Sequence, residues 1–162
     1  MLAEVLGLVF DVLSQEIDPR LIDQYRGLEE ILKKSLQLLK AIARGNDVVQ
    51  TRMFEKLDTL LKIKVVEPEL AIALKEMFVG NQTTCLKILP SQIQFIVDLT
   101  ALHQEKAPQF LDLLKCIVKV EGLGLTLKRN QAYVMKYIMQ VRRREAAYRA
   151  TMKIMNDPNA LL

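Results

Sequence analysis

Hydrophobic residues recur at steps of three and four along almost the whole chain, which is the spacing of an amphipathic α-helix. The clearest run comprises Leu28, Ile31, Leu32, Leu36, Leu39 and Ile42. Similar runs span residues 110–118 and 133–141. No stretch shows the strict alternation of apolar and polar residues that a half-buried strand requires. The pattern therefore predicts an all-α protein.

Prolines and glycines predict where the helices begin and end. A proline at the first helical position loses no hydrogen bond, and three prolines occupy such positions: Pro19, Pro68 and Pro108. Glycine accepts the left-handed conformation that ends many helices, and three glycines fit that role: Gly45, Gly80 and Gly122. Ser91 is predicted to be an N-cap, because its hydroxyl can accept a hydrogen bond from a free backbone N–H.

These signals predict eight helices joined by short loops. Their expected ranges are residues 2–15, 19–44, 48–62, 68–79, 82–89, 91–104, 108–120 and 128–155. A break in the last helix near Arg144 is an open alternative, and the tail beyond Pro158 is expected to be frayed.

A weak internal repeat predicts how the helices are arranged. LQLLKAIARG at 36–45 resembles LDLLKCIVKVEG at 111–122, and a helix opening near a glutamine, Gln50 or Gln131, follows each. Similar helix pairs that stack on one another form an α-solenoid. We therefore predict an armadillo-like α-solenoid of stacked antiparallel helices, with a single helical bundle as the alternative.

Length and composition favour one domain over residues 1–162. The chain has 162 residues, of which 51% are hydrophobic and 26% charged, as is typical of a soluble globular protein. The longest charge-free apolar runs are far shorter than the ~20 residues of a membrane-spanning helix. Glu4 and Asp11 lie inside the apolar N-terminal segment, so that segment does not resemble a signal peptide. Two cysteines without a CxxC motif indicate free thiols in a reducing compartment.

The net charge of +4 is unevenly distributed. Residues 128–162 carry eight basic and two acidic residues, whereas the other 127 residues carry fifteen and seventeen. An amphipathic helix this basic can bind calmodulin, an acidic membrane or nucleic acid. A solvated outer face, or a contact with an acidic neighbouring domain, is the commoner role. We predict an acidic-partner contact through Lys136, Arg142, Arg143, Arg144 and Arg149.

Candidate catalytic and metal-binding residues are poorly supported. His103 has no second histidine or cysteine at a ligand spacing, so we expect a structural histidine and no metal. The Gly122–Gly124 segment follows a helix where a phosphate-binding loop requires a strand, and we expect a flexible loop. Cys116 lies on an apolar helix face and has no neighbouring base. We therefore predict no catalytic residue, no cofactor and no enzymatic activity.

Two stretches carry a resemblance to a known family. They are FLDLLKCIVKVEG with KRNQAYVMKYIM, at 110–122 and 128–139, and LEEILKKSLQLLKAIARGNDVVQTRMFEKLDTLL at 28–61. Both resemble the helical homology region shared by inositol trisphosphate receptors and ryanodine receptors, known as the RIH domain. The resemblance covers residues 28–140, departs from the family pattern at 123–127, and does not extend to residues 1–20.

The resemblance implies a cytosolic regulatory module of a tetrameric calcium-release channel of the endoplasmic reticulum. Such a module would be part of a much larger protein, would contact neighbouring domains of the same channel, and would couple ligand binding to gating. The alternative function is a stand-alone armadillo-like scaffold that binds an acidic peptide. Nucleic-acid binding through residues 128–153 is disfavoured, because the chain lacks an aromatic stacking platform and has a modest net charge.

Overall fold

The structure, a computed structural model, describes residues 2–22, 24–103 and 107–155. The helices are α1 (Leu2–Leu13), α2 (Pro19–Ile22), α3 (Arg26–Ala43), α4 (Asp47–Glu55), α5 (Leu57–Leu60), α6 (Glu67–Glu76), α7 (Gln82–Lys87), α8 (Pro90–His103), α9 (Gln109–Val118) and α10 (Lys128–Met155). Two short strands, β1 (Lys119–Val120) and β2 (Leu125–Thr126), separate α9 from α10. The all-α prediction is confirmed.

The antiparallel hairpin of β1 and β2 corrects the predicted helix over 108–120 and the flexible loop after it. Lys119 pairs with Thr126, and Val120 pairs with Leu125. The turn between them contains two glycines with positive φ, Gly122 at 82° and Gly124 at 61°. Glycine adopts that conformation without a steric penalty. Gly122 therefore forms the turn of a hairpin and does not end a helix.

Three other predicted boundaries differ from the structure. The predicted helix 19–44 consists of α2 and α3, and the predicted helix 48–62 is interrupted at Lys56, where φ is −102° and ψ is 8°. Ser91 is not an N-cap, because α8 already begins at Pro90. Instead the side-chain oxygen of Gln92 accepts a hydrogen bond from the Leu89 N–H at 3.0 Å. Helix α10 continues past Arg144 without a break. Residue 104 and the predicted frayed tail lie outside the described residues.

Two glycine–asparagine pairs lead into a helix in the same way, although Gly80 lies four residues after the end of α6 and does not cap it as predicted. Gly45 and Gly80 have φ values of 64° and 68°. The asparagine after each is an N-cap: Asn46 accepts from the Val49 N–H at 3.2 Å, and Asn81 accepts from the Thr84 N–H at 3.1 Å. These caps satisfy backbone donors that the first helical turn leaves unpaired. They keep the connections before α4 and α7 short.

The core is built by a series of neighbouring helices. Helix α6 contacts both α3 and α9, whereas α3 and α9 share no comparable contact, so α6 lies between them. Helix α1 packs on α3, and α10 packs on α8 and α9. The buried side chains of the three central helices include Leu32, Leu36, Leu39, Leu70, Leu74, Phe110, Leu113 and Ile117. Burial of each such side chain contributes roughly 1.5–3 kcal/mol, which is the main stabilisation of this packing.

Candidate functional site

The first turn of the basic helix α10 is anchored by Asn130, whose side chain is 1% exposed. Its Nδ2 donates hydrogen bonds to the backbone oxygen of Cys85 at 2.7 Å and to that of Ile117 at 2.9 Å. Cys85 belongs to α7 and Ile117 to α9. One amide group therefore joins three helices. Gln131, which the repeat singled out, is exposed.

Arg129 provides a second anchor for α10. Its Nη1 donates to the backbone oxygens of Leu86 and Ile88, each at 3.2 Å, where α7 ends. The guanidinium also lies 5.4 Å from the ring centroid of Tyr133, a cation–π contact. A positive charge is favoured beside the unpaired carbonyls of a helix C-terminus. Arg129 therefore has a structural role within the chain.

Four of the five predicted contact residues form an exposed surface on α10. Arg144 differs, because its Nη2 lies 2.6 Å from Oδ1 of Asp98 on α8. Successive residues of a helix point about 100° apart, so Arg142 and Arg143 do not share the direction of Arg144. Within the described part of the chain, neither of them makes an ion pair. We define the basic surface by the exposed residues Lys136, Arg142, Arg143 and Arg149.

Two exposed methionines lie on the same side of α10 as the basic surface. Met135 is 58% exposed and Met139 is 47% exposed. The opposite side contacts the core, with Val134 and Tyr137 buried. Further along α10, Tyr148 is exposed as well. The basic surface is thus an amphipathic helix face with cations around an apolar centre.

A cavity of about 460 Å³ lies between α6, α9 and the hairpin. Lys75, Lys115 and Lys119 line it, with Cys116 at its wall. Burial raises the pKa of the Cys116 thiol and raises that of Cys85 to about 11. Both thiols are therefore protonated at neutral pH, whereas a nucleophile must be a thiolate. Cys116 is buried, as its position on an apolar helix face predicts.

His103, the other candidate residue, lies against an aromatic side chain. The His103 ring stacks on Phe110 with 5.7 Å between centroids, and its neighbours Gln104 and Glu105 lie outside the described residues. Across residues 2–22, 24–103 and 107–155, no group of three or more His, Cys, Asp and Glu side chains could hold a metal ion. Among the helices in those ranges, none has both the length and the apolar character needed to cross a bilayer.

Sequence reasoning missed Asn130, Arg129 and Asp98. A signal for Asn130 was present, because Asn130, Val134, Tyr137 and Val141 follow one helical face with steps of four, three and four. A polar residue on an otherwise apolar face is expected to have buried hydrogen-bond partners. The partners of Arg129 and Arg144 depend on which helices are neighbours, and a single sequence does not contain that information.

Comparison with known proteins agrees with the helical architecture and with the resemblance in the sequence. A search of curated proteins finds no match to this chain. The family model of the RIH domain matches residues 1–152, including the N-terminal residues and the hairpin where the resemblance was weakest. The match spans nearly the whole chain. The chain therefore belongs to the RIH domain family of the inositol trisphosphate and ryanodine receptors, which are calcium-release channels.

Proposed function

We propose that this chain is a regulatory and structural module of a calcium-release channel, and that it couples ligand binding to gating. The family match over residues 1–152 is the observation that carries the proposal. In that role the module lies on the cytosolic face of the endoplasmic reticulum membrane, within a homotetrameric parent protein. It contacts neighbouring domains of the same channel.

The order of helix contacts supports a mechanical role. Helices α3, α6 and α9 follow one another as packed neighbours, and α10 packs on the last of them. We propose that they form an armadillo-like α-solenoid in which each helix interface transmits small rigid-body shifts. Packed helix interfaces commonly move by about 1–2 Å in switching proteins. A displacement at one end of the series would then reach the other end.

The basic surface on α10 supports the proposed contact with an acidic partner. Arg142 and Arg143 point away from the Arg144–Asp98 ion pair, and within the described part of the chain neither of them forms an ion pair of its own. A field of one sign attracts partners of opposite sign and is screened by salt. We propose that Lys136, Arg142, Arg143 and Arg149 contact an acidic surface of the parent channel. Arg144 supports this contact indirectly, because its ion pair with Asp98 holds α10 on α8.

The test replaces Arg142, Arg143 and Arg149 by alanine in the intact channel. We expect altered ligand dependence of calcium release, because three exposed cations of the contact are lost. The matched control removes three exposed cations from other helices and loops, Arg52, Lys56 and Lys62. Identical calcium release by the wild type and by the variant without Arg142, Arg143 and Arg149 would contradict the proposal.

A further inference from the structure

Thr126, in strand β2, has an exposed hydroxyl group that the fold does not use. Within the part of the chain that the structure describes, its Oγ1 makes no hydrogen bond. Three threonines in helices differ from it, because their hydroxyls donate to backbone oxygens at 2.7–2.8 Å: Thr51, Thr84 and Thr100. The hydroxyl of Thr126 is therefore available for a covalent modification.

Lys119 lies directly opposite Thr126 in the hairpin of β1 and β2. In the next pair of the ladder the Leu127 N–H donates to the Val118 oxygen at 2.9 Å. Lys119 and Thr126 are therefore a non-hydrogen-bonded pair, in which the Cα atoms lie about 4.5 Å apart and the side chains share one face. Lys119 is exposed and, among the described residues, has no ion-pair partner. Its ammonium can reach a group that is attached to the Thr126 oxygen.

Lys119 also belongs to the cationic wall of the 460 Å³ cavity between α6, α9 and the hairpin. Of the two other lysines there, Lys115 is already engaged, because its Nζ lies 2.8 Å from Oδ1 of Asp112. Lys75 makes no ion pair with any residue that the structure describes. Glu121 contributes one carboxylate to the same cavity. Two cations that are free of ion pairs thus face one carboxylate, and this side of the hairpin favours an added anion.

The residues around Thr126 suit a protein kinase that recognises basic substrates. Lys128, two positions after Thr126, is exposed, and a cation at a fixed distance from the acceptor is a feature that kinases read. Arg129 is not counted, because its guanidinium already contacts α7 and Tyr133. Strands β1 and β2 have two residues each, and a hairpin this short is marginally stable by itself. It can open locally and present Thr126 as an extended segment.

We propose that Thr126 is a phosphorylation site, and that its phosphate pairs with Lys119 across the hairpin. In the reaction the Thr126 Oγ1 attacks the γ-phosphorus of ATP held by a protein kinase. The bond from that phosphorus to the β–γ bridging oxygen breaks, ADP leaves, and the hydroxyl proton passes to a base of the kinase. The site lies outside the basic surface of α10, so this inference does not depend on the proposed function.

The phosphate stabilises the junction between α9 and α10. Lys119 follows directly after α9, and Thr126 lies two residues before the start of α10. A phosphothreonine carries about −1.5 to −2 charges at pH 7 and forms charge-assisted hydrogen bonds with nearby cations. It also lies close to the N-terminus of α10, where the helix dipole favours negative charge. The modified hairpin should therefore open less readily than the unmodified one.

The first test attaches the phosphate to the full 162-residue chain. The chain is incubated with MgATP and a kinase that prefers a basic residue two positions after the acceptor, and tandem mass spectrometry identifies the modified residue. We expect phosphate on Thr126, a several-fold lower rate with Lys128→Ala, and loss of that phosphate with Thr126→Val. The matched control is Thr83→Val, which removes an exposed threonine with Cys85 at the same spacing and should leave the rate unchanged. Absence of phosphate from Thr126 would overturn the inference.

Thermal unfolding tests which side chain holds the phosphate. At low salt the midpoint of the phosphorylated chain should lie about 2–4 °C above that of the unmodified chain. Lys119→Ala should remove this difference, whereas Lys56→Ala, which removes an exposed cation next to α4, should preserve it. At 1 M salt, where the Debye length is about 3 Å, the difference should shrink. A difference that persists in full with Lys119→Ala would overturn the pairing.

Phosphorus-31 NMR gives a readout that a purely structural role of Lys119 would not change. The second pKa of a phosphothreonine is about 6, and a nearby cation lowers this pKa because it favours the dianion. The phosphorus resonance of the wild type should therefore titrate at lower pH than that of Lys119→Ala, and Lys56→Ala should titrate like the wild type. Equal titration midpoints in the wild type and in Lys119→Ala would show that Lys119 does not hold the phosphate.

Discussion

At the scale of single residues, Asn130 has the greatest structural consequence. Its amide supplies hydrogen bonds to two backbone carbonyls, on α7 and on α9, while its own backbone belongs to α10. A buried carbonyl that loses its donor costs more free energy than the hydrogen bond itself contributes. The position of α10 on the core therefore depends strongly on one side chain.

Replacement of Asn130 by alanine should lower the free energy of unfolding by about 1–3 kcal/mol, because two acceptors lose their donor. The measurement is chemical denaturation, with a lower midpoint at an unchanged slope. The control is Gln131→Ala, at the next and exposed position, which should change stability by less than about 0.5 kcal/mol. Equal effects of the two substitutions would contradict the anchoring role.

At the scale of elements, helix α9 buries one of its faces in the core and exposes the other. Leu113 and Leu114 are buried, and Leu111 on the other side is 51% exposed. The sequence pattern predicted this face correctly, including Leu114, which is 6% exposed. The same pattern did not indicate where the helix ends, because residues 119 and 120 continue as a strand without a change in composition.

Truncation of Leu114 to alanine should destabilise the chain by about 2–5 kcal/mol, because a buried leucine leaves a cavity in a close-packed core. Leu111→Ala removes the same atoms from the same helix at an exposed site. Thermal and chemical unfolding of the two variants should differ accordingly. A small effect for Leu114→Ala would show that the α9 face is wrongly assigned.

The glycines of α1 and of the hairpin should respond to alanine in opposite directions. Gly7 lies within α1, and a Cβ there would meet no atom within 4 Å. Gly7→Ala should therefore stabilise the chain by about 0.5–1 kcal/mol, since glycine is unfavourable in a helix. Gly124 has similar space but a φ of 61°, and Gly124→Ala should cost about 1–2 kcal/mol. The unfolding midpoints of both variants test these predictions. If alanine changes the stability in the same direction at both positions, the assignment of Gly7 to a helix and of Gly124 to a turn is wrong.

At the scale of the whole molecule, the series of helices predicts a gradient of local stability. Helix α6 is covered by α3 and α9, and α1 packs on α3 near one end. Local opening requires least free energy where the fewest neighbours must separate. The centre of the series should therefore open only when the whole chain unfolds.

Hydrogen exchange can test this gradient directly. Amides of α6, such as those of Leu70 and Leu74, should exchange slowest, at a rate set by global unfolding. Amides of α1, such as that of Val9, should exchange faster. If α1 is protected as strongly as α6, the chain opens as one unit and the gradient does not exist.

The sequence was sufficient for the helical class, the short connections and the buried faces, because these follow from the local spacing of apolar residues. It was insufficient for the hairpin, since two strands of two residues are too short to show alternation. The internal repeat drew attention to Gln131, whereas the buried polar residue is its neighbour Asn130. The Arg144–Asp98 pair spans 46 residues of sequence, and only the packing of α10 on α8 brings its partners together.

The second half of α10 is a lever arm. Val141 still packs against the core, whereas Arg142, Arg143 and Tyr148 are exposed, and from Val141 to Met155 the axis extends about 21 Å at 1.5 Å per residue. A tilt of about 5° at Val141 displaces the far end by about 2 Å along that length. The exposed Arg144–Asp98 pair stabilises α10 against such a tilt by roughly 0–1 kcal/mol. A small tilt of α10 on α8 therefore moves the far end of the helix further than the residues that pack against the core.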